Sequence, residues 1–186
     1  SAGVKVIDIE LTQEEYAFGV DKTQPELLEK VNAFIDKIMA DGTFDDICNH
    51  YFGDGEPVKV ASAELDETKD QLVVATNAAF EPFEYTEGDS YLGIDMEIAA
   101  LLAEYLGKEL VIMNMDFDAV CLSVGQQKCD IAMAGLTITE KRMEPRQTPR
   151  AFRIRSGKDF QATRSIGCGQ TTVSGTHSRI NGVTST

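Results

Sequence analysis

A turn in the second half of the chain combines residue types that could grip a small charged molecule. An apolar run ends at Gly135, and Thr137, Thr139 and Arg142 follow closely. Such a turn offers free backbone groups, two hydroxyls and one guanidinium, and a guanidinium can hold a carboxylate through two parallel hydrogen bonds. The spacing therefore indicates a small-molecule site with Arg142 on a carboxylate. The competing interpretation is a surface arginine paired with one of many acidic neighbours.

Two further loops carry aromatic side chains that could complete this site. Residues 77–84 include Phe80 and Phe83, and residues 116–118 include Phe117. Each loop follows a predicted strand, and ligands of open α/β sheets bind beyond the carboxyl ends of the strands. Aromatic walls with a few convergent polar groups are typical of a small-molecule pocket.

Alternating strands and helices are predicted to position these loops. The apolar segments 71–77, 109–115 and 130–135 predict buried strands. A helix is predicted in each interval, with Asp95 and Asp116 as the N-cap residues. Strands that alternate with helices form right-handed crossover units, so the sequence predicts an α/β fold with a mostly parallel central sheet and flanking helices.

An upstream segment has the pattern of one more strand and two helices. Residues 14–23 predict a short strand, and Pro25 suits the first turn of a helix. That helix is predicted to end at Gly42, and residues 43–53 form a second one. The polar, acidic stretch 54–70 is predicted to be a linker or surface connection.

Charge is distributed unevenly along the 186 residues, whose formal net charge is −14. Residues 1–140 carry 8 basic against 29 acidic residues, whereas residues 141–186 carry 9 basic against 2 acidic ones. The acidic body argues against a nucleic-acid partner, because phosphate binding needs a basic surface. The basic tail is either an interaction arm or an unfolded segment. Its composition favours disorder after residue 145.

Several classes of site lack their sequence signatures. No GxGxxG or P-loop follows a strand, no CxxC pair occurs, and no Cys/His cluster has zinc spacing. We therefore predict no cofactor, no metal and no catalytic residue. Cys48, Cys121 and Cys129 are predicted to be buried as small hydrophobic residues, with a disulfide left open. The chain shows neither a membrane-length apolar run nor a signal peptide at its opening residues.

Four motifs in order resemble a known family. VVATNAAFEPFEY, YLGIDMEIAALLAEYLG, MDFDAV and GQQKCDIAMAGLTITEKR are similar to the opening half of a type II periplasmic binding protein. Within that group they resemble the polar amino-acid-binding, solute-binding family 3 components of ABC importers. The segment YAFGVDKTQPELLEKVNAFIDKIMADGTFDDICNHYFG is similar to the closing part of the same family. That resemblance implies that its strand at residues 16–20 joins the sheet near the strand at 130–135, antiparallel to it.

The resemblance implies roles for the turn after the third strand. Backbone groups near Gly135 would take the ammonium of an amino acid, and Thr137 would bind through its N–H and hydroxyl. Arg142 would clamp the α-carboxylate. Beyond Arg142 the family continues with a segment of the type VDFSxPYY, whereas this chain reads MEPRQTPRAFRIRSG. That departure suggests a reading-frame shift or a foreign tail, and it removes the expected entry into the hinge.

The resemblance also implies the remaining contacts. Phe80 and Phe117 would wall the ligand side chain, and Asn77 would reach it. The full set of predicted ligand-binding residues is Asn77, Phe80, Phe83, Phe117, Gly135, Leu136, Thr137 and Arg142.

The order of the two resembling segments predicts a circularly permuted single lobe. Family members fold as two lobes, and the first and last parts of the chain build lobe 1. Here the closing segment spans residues 1–53 and precedes the opening segment at 71–144. An acidic linker at 54–70 would join them, and residues 145–186 would form a basic tail foreign to the family.

The function implied is an extracytoplasmic amino-acid-binding module of an ABC importer. Its expected partners are a small-molecule amino acid and a membrane permease, and self-association through the face that would meet the missing lobe is a further option. The expected location is periplasmic or extracellular, at the membrane. The alternatives are a ligand-sensing domain of a receptor and an enzyme on the same fold, such as a dehydratase. An enzyme needs a paired acid and base, and the nearby candidates Glu84 and Glu140 have no evident partner in the sequence.

Overall fold

Four α-helices and eight β-strands make up the part of the chain that the computed structural model describes, residues 16–136 and 160–162. The elements are β1 Gly19–Asp21, α1 Pro25–Ala40, α2 Thr43–Phe52, β2 Gln71–Thr76, β3 Ala79–Phe80, β4 Glu84–Glu87, β5 Ser90–Leu92, α3 Ile94–Leu106, β6 Glu109–Asn114, α4 Phe117–Gly125, β7 Ile131–Ala132 and β8 Phe160–Ala162. This is the α/β fold that the alternation of strands and helices predicted.

The central sheet has the strand order β6-β2-β7-β1-β8. β2 pairs in parallel with β6 on one side and with β7 on the other. Val74 of β2 lies opposite both Ile112 and Ile131. The helices α3 and α4 make the two crossovers, so the predicted parallel arrangement of these three strands is confirmed.

β1 extends this sheet in the opposite direction. It pairs antiparallel with β7, with Gly19 opposite Ala132 and Val20 opposite Ile131. The family resemblance implied this position and direction, and the pairing with β7 confirms both. β8 pairs antiparallel with the other side of β1. β8 falls within the tail for which disorder was predicted, and the rest of residues 145–186 lies outside the described residues.

The two faces of the sheet are packed by different helices. Val74 and Ile131 point into a core shared with α1, α2 and α3, and the alternating neighbours Ala75 and Ala132 point into a smaller core under α4. On α1 the apolar residues recur at helical spacing, and the four that are buried are Val31, Phe34, Ile35 and Ile38. Residues 16–53 and 71–136 therefore share one hydrophobic core.

The acidic connection between α2 and β2 is attached along its length. Val60 exchanges two backbone hydrogen bonds with Tyr91 of β5, at 2.8 and 2.9 Å. Ser62 Oγ accepts the N–H of Ile112 at 2.8 Å, and the N–H of Ala63 donates to Leu110. Residues 54–70 thus follow the outer edge of β6. They are a surface connection, as predicted, but one that pairs with the fold.

Two predicted helix caps are placed differently. α1 ends at the C-cap Asp41, and Gly42, with φ of 87°, is instead the N-cap of α2. The N-cap of α3 is Gly93 rather than Asp95, because the helix begins at Ile94. Asp95 therefore lies inside the first turn, where its side chain is directed to a tertiary partner. Asp116 is the N-cap of α4 as predicted, without a side-chain capping bond.

The predicted burial of three cysteines is confirmed. Cys48, Cys121 and Cys129 are buried thiols, and none of them forms a disulfide within the described residues. Cys168 lies outside that part of the chain. Across residues 16–136, no helix is both long and apolar enough to cross a membrane.

Candidate functional site

The carboxyl ends of β2, β6 and β7 meet at one edge of the sheet. Asn77 follows β2, and its side-chain amide donates to the carbonyl of Met115, just after β6, at 2.8 Å. In return, Asn114 Oδ1 accepts the N–H of Ala78 at 2.9 Å. These two bonds fix the loop after β2 against the loop after β6. Asn77 is thereby positioned at the predicted edge, with its amide nitrogen engaged by the backbone.

The aromatic residues of the first loop form a stack. The ring centroids of Phe80 and Phe83 lie 5.4 Å apart, and the two rings are close to parallel. The ring centroids of Phe83 and Tyr16 lie 4.5 Å apart. Phe83 is 9% exposed and Phe80 is 46% exposed. Phe83 therefore belongs to the core and supports Phe80, whose outer face is free to meet solvent or a ligand.

Gly135 lies against this stack. Its φ is +53°, a left-handed conformation that glycine adopts at little cost. A Cβ at this position would come within 2.9 Å of the Phe80 ring. Its N–H donates to Oδ2 of Asp95 in α3 at 2.9 Å. Phe80 and Gly135, predicted from separate loops, are thus in direct contact.

Phe117 and Leu136 belong to the small core under α4. Phe117 is the first residue of that helix and is half-buried, and Leu136 is buried. The carbonyl of Leu136 accepts the N–H of Ala17 at 2.8 Å. The turn after β7 is therefore tied to the segment that leads into β1.

Thr137 and Arg142 lie outside the described residues. Their predicted contacts with an ammonium and a carboxylate stay predictions. The same holds for Glu140, one of the two acids considered for an enzyme.

Glu84 has a partner that the sequence did not reveal. Glu84 opens β4 and is 1% exposed, and Asp95 in the first turn of α3 is 3% exposed. The two carboxyl groups are hydrogen-bonded neighbours. Nothing in the spacing of the two residues signals this contact, because the β4–β5 hairpin brings them together. Glu84 and Asp95 are called the acid pair below.

Burial dominates the electrostatics of the acid pair. It raises the pKa of Glu84 well above its usual range, and the neighbouring charge of Asp95 adds to that shift. Burial also raises the pKa of Asp95, although the hydrogen bond from the Gly135 N–H opposes the shift. Two carboxylates in a low-dielectric site cannot both ionise near neutral pH. The pair therefore holds a proton directly beneath the Gly135 turn.

Within residues 16–136 and 160–162, no group of three or more His, Cys, Asp or Glu side chains has the arrangement of a metal site. In the part of the chain that the structure describes, the strand ends offer exposed aromatic surface, backbone hydrogen bonds and a buried carboxyl pair.

Part of the chain matches a known family. Residues 72–148 match the family described as bacterial extracellular solute-binding proteins, family 3. This segment includes most of β2, all of β6 and β7, and the loops that leave them, and it is similar to that family.

Three similar proteins illustrate the match. The arginine-binding extracellular protein ArtP of Bacillus subtilis is 36% identical over 74 residues, which are 40% of this chain and 29% of that protein. Cyclohexadienyl dehydratase of Pseudomonas aeruginosa is 38% identical over 72 residues, 38% of this chain and 27% of that one. A solved structure of the amino acid ABC transporter substrate-binding protein AbpA from Streptococcus pneumoniae, bound to L-arginine, is 41% identical, covers 41% of this chain and 34% of that one, and has a TM-score of 0.37. The chain therefore spans about a third of the length of these relatives.

Proposed function

We propose that this chain is an amino-acid-binding lobe of an extracytoplasmic solute receptor that serves an ABC importer. The observation that carries the proposal is the convergence of three loops at the carboxyl edge of the sheet. The loops after β2 and β6 are hydrogen-bonded through Asn77, and the loop after β7 places Gly135 against Phe80. Such an edge is where open α/β sheets bind ligands.

The ligand class follows from the chemistry of this edge and from the relatives. Phe80 offers an exposed ring face, which attracts a cationic or planar side chain. The acidic body of the chain also favours a cation. ArtP and AbpA are named or described as arginine-binding or arginine-bound proteins. L-arginine is therefore the first ligand to test, with Arg142 on its α-carboxylate.

The lobe is proposed to be circularly permuted. β1 and α1–α2 precede the family segment in the chain, yet β1 pairs with β7 and the helices share its core. The connection at 54–70 would be the new joint. By the family description such proteins are extracellular, so we place the protein outside the cytoplasm, at the membrane, with a permease as its partner.

Titration calorimetry of the full chain with L-arginine tests the function. A single lobe leaves one face of the ligand wet, so we expect a dissociation constant on the order of 1 mM, near −4 kcal/mol. Arg142→Lys should weaken binding about tenfold, because a lysine ammonium cannot reproduce both charge-assisted hydrogen bonds that the guanidinium would donate to the ligand carboxylate. Arg146→Ala, which removes another arginine nearby in the sequence, is the matched control and should bind like the parent.

Two results would contradict this assignment. An affinity that survives Arg142→Ala would place the carboxylate clamp elsewhere. Absence of binding for arginine and the other amino acids, in a chain that melts cooperatively, would rule out a binding function for this lobe.

An enzyme is the second candidate, and one similarity favours it. The dehydratase of Pseudomonas aeruginosa is 38% identical over 72 residues, and the chain holds a buried pair of carboxyl groups. Both carboxyls are buried, so a substrate would have to displace the surrounding packing to reach them. A dehydration assay with a cyclohexadienyl substrate separates the two candidates. Turnover that is lost in Glu84→Gln would establish the enzyme.

A further inference from the structure

The acid pair occupies a particular place relative to the candidate site. Asp95 Oδ2 holds the N–H of Gly135 at 2.9 Å. Glu84 Oε1 lies 3.5 Å from the position that a Cβ on Gly135 would occupy, on the side where the Phe80 ring also packs. The pair thus lies beneath the turn that would receive a ligand ammonium. It connects β4, α3 and that turn.

The hydrogen bonding of the pair requires a proton. Oε2 of Glu84 is buried and receives no hydrogen bond from a donor within the described residues. Its carboxyl neighbour is Asp95, and two carboxylates can bond to each other only when one is protonated. Asp95 already accepts the Gly135 N–H, so Glu84 is the partner that carries the proton and donates it.

Within residues 16–136, no cation is among the groups that act on the acid pair. On α3, Glu97 is bonded to His50 and Tyr51 of α2 and not to the pair. The β4–β5 hairpin contributes one further titratable group, Tyr85. Glu81 and Glu87 flank it in the sequence and are exposed. Among the described residues, the groups that act on the two carboxyls are each other and the Gly135 N–H. An ammonium bound at the Gly135 turn would place a positive charge beside a pair whose interacting groups, among the described residues, include no cation.

We propose that Glu84 and Asp95 share one proton, and that binding of an amino acid with its ammonium at the Gly135 turn releases it. This inference rests on the proposed function, because it needs a ligand whose positive charge sits at that turn. A nearby cation stabilises the doubly ionised pair, and the proton leaves to solvent. By linkage, affinity for this ligand then rises with pH, by at most about tenfold per pH unit.

The same proton has the opposite effect on the stability of the ligand-free chain. A carboxyl in the unfolded chain releases its proton above about pH 4, whereas the folded pair retains one. The folded state then binds more protons than the unfolded state, so stability falls as pH rises above that value. A ligand ammonium at the Gly135 turn should oppose this loss.

The first experiment measures the unfolding free energy between about pH 5 and pH 9 without ligand. We compare the parent chain with Glu84→Gln, whose amide still donates to Asp95 but does not titrate. The parent should lose stability with rising pH, and Glu84→Gln should lose less. Glu81→Gln removes an exposed carboxyl from the same loop and should follow the parent. Asp95→Asn is the second variant if Glu84→Gln does not fold.

The second experiment measures how many protons are released when the ligand binds. Titration of the full chain with L-arginine at pH 7, in two buffers of different protonation enthalpy, should report release of up to about one proton per ligand. Glu84→Gln should release none. L-glutamine, which carries the same α-ammonium without the guanidinium, should release about as many protons as arginine if it binds.

The outcomes separate the two proposals. Absence of arginine binding at every pH would contradict the proposed function, and with it the coupling of ligand binding to proton release. The stability measurements would still decide whether the acid pair shares a proton. Arginine binding without proton release would overturn the coupling alone. Parallel stability profiles of the parent and Glu84→Gln would overturn the shared proton.

Discussion

At the scale of single residues, the role of a side chain here depends on what the fold places opposite it. Asp95 has the type and position of a helix N-cap, yet it lies in the first turn of α3 and accepts a hydrogen bond from Gly135. Glu84 has no partner in the sequence and becomes half of a buried acid pair. Residue type determines the chemistry of these groups, whereas residues distant in the sequence determine which partners they have.

Gly135→Ala should destabilise the chain more than Gly88→Ala. Both glycines have left-handed φ values, +53° and +60°, so each alanine costs about 1–2 kcal/mol of backbone strain. Only at Gly135 would the new Cβ meet the Phe80 ring, whereas Gly88 has nothing within 4 Å. Displacing Phe80 from Phe83 should cost about another 1 kcal/mol.

Urea denaturation of the two glycine variants measures this difference. Equal losses of stability would mean that Phe80 does not pack on Gly135 in solution. A larger loss at Gly135 supports the aromatic wall that the candidate site requires.

At the scale of elements, the connection at 54–70 behaves as part of the fold. Its acidic composition indicated an exposed linker, but Val60 pairs with Tyr91 and is buried at 5% exposure. Val60 packs with Met96 of α3 and Ile112 of β6. One apolar side chain in a polar segment is a weak sequence signal. The segment is held by hydrogen bonds to backbone groups at the edge of β6.

Val60→Ala should cost about 2 kcal/mol, because it removes two buried methyl groups and leaves a cavity. Val58→Ala is the matched control, since Val58 is 49% exposed and the same deletion should change stability by less than about 0.5 kcal/mol. Thermal or chemical unfolding of both variants measures the difference. Similar values would show that the connection is detached in solution.

At the scale of the whole molecule, the segment before the connection completes the core of the segment after it. Phe34, Ile38 and Phe44 share their cluster with residues of β2, α3 and β7. Glu97 of α3 also accepts hydrogen bonds from Tyr51 at 2.6 Å and from the N–H of Val58 at 2.9 Å. The two segments and their connection therefore meet at one buried carboxylate.

Deleting residues 1–53 should abolish the cooperative melt of the remainder. The deletion exposes the face of α3 and of the sheet that α1 and α2 cover, and removes β1 from the sheet. Circular dichroism melting measures the outcome. Adding residues 1–53 back as a separate chain should restore the transition. A cooperative melt without them would contradict a permuted lobe.

The sequence by itself determined the four helices, the strands β1, β2, β6 and β7, and their order along the chain. Helical spacing on α1, β-branched runs in β2 and β6, and the strand–helix alternation predicted a parallel α/β sheet, because these patterns reflect local geometry and one-sided burial. The resemblance added the antiparallel position of β1 beside β7 and singled out Phe80 and Gly135.

Only the tertiary structure decided the contacts between elements. Phe83 supports the core rather than facing outward, Val60 closes the edge beside β6, and Glu84 meets Asp95 beneath Gly135. These pairings join residues that local periodicity treats independently. Their energies arise from burial and desolvation, which exist only once the hairpin, the helix and the turn have packed together.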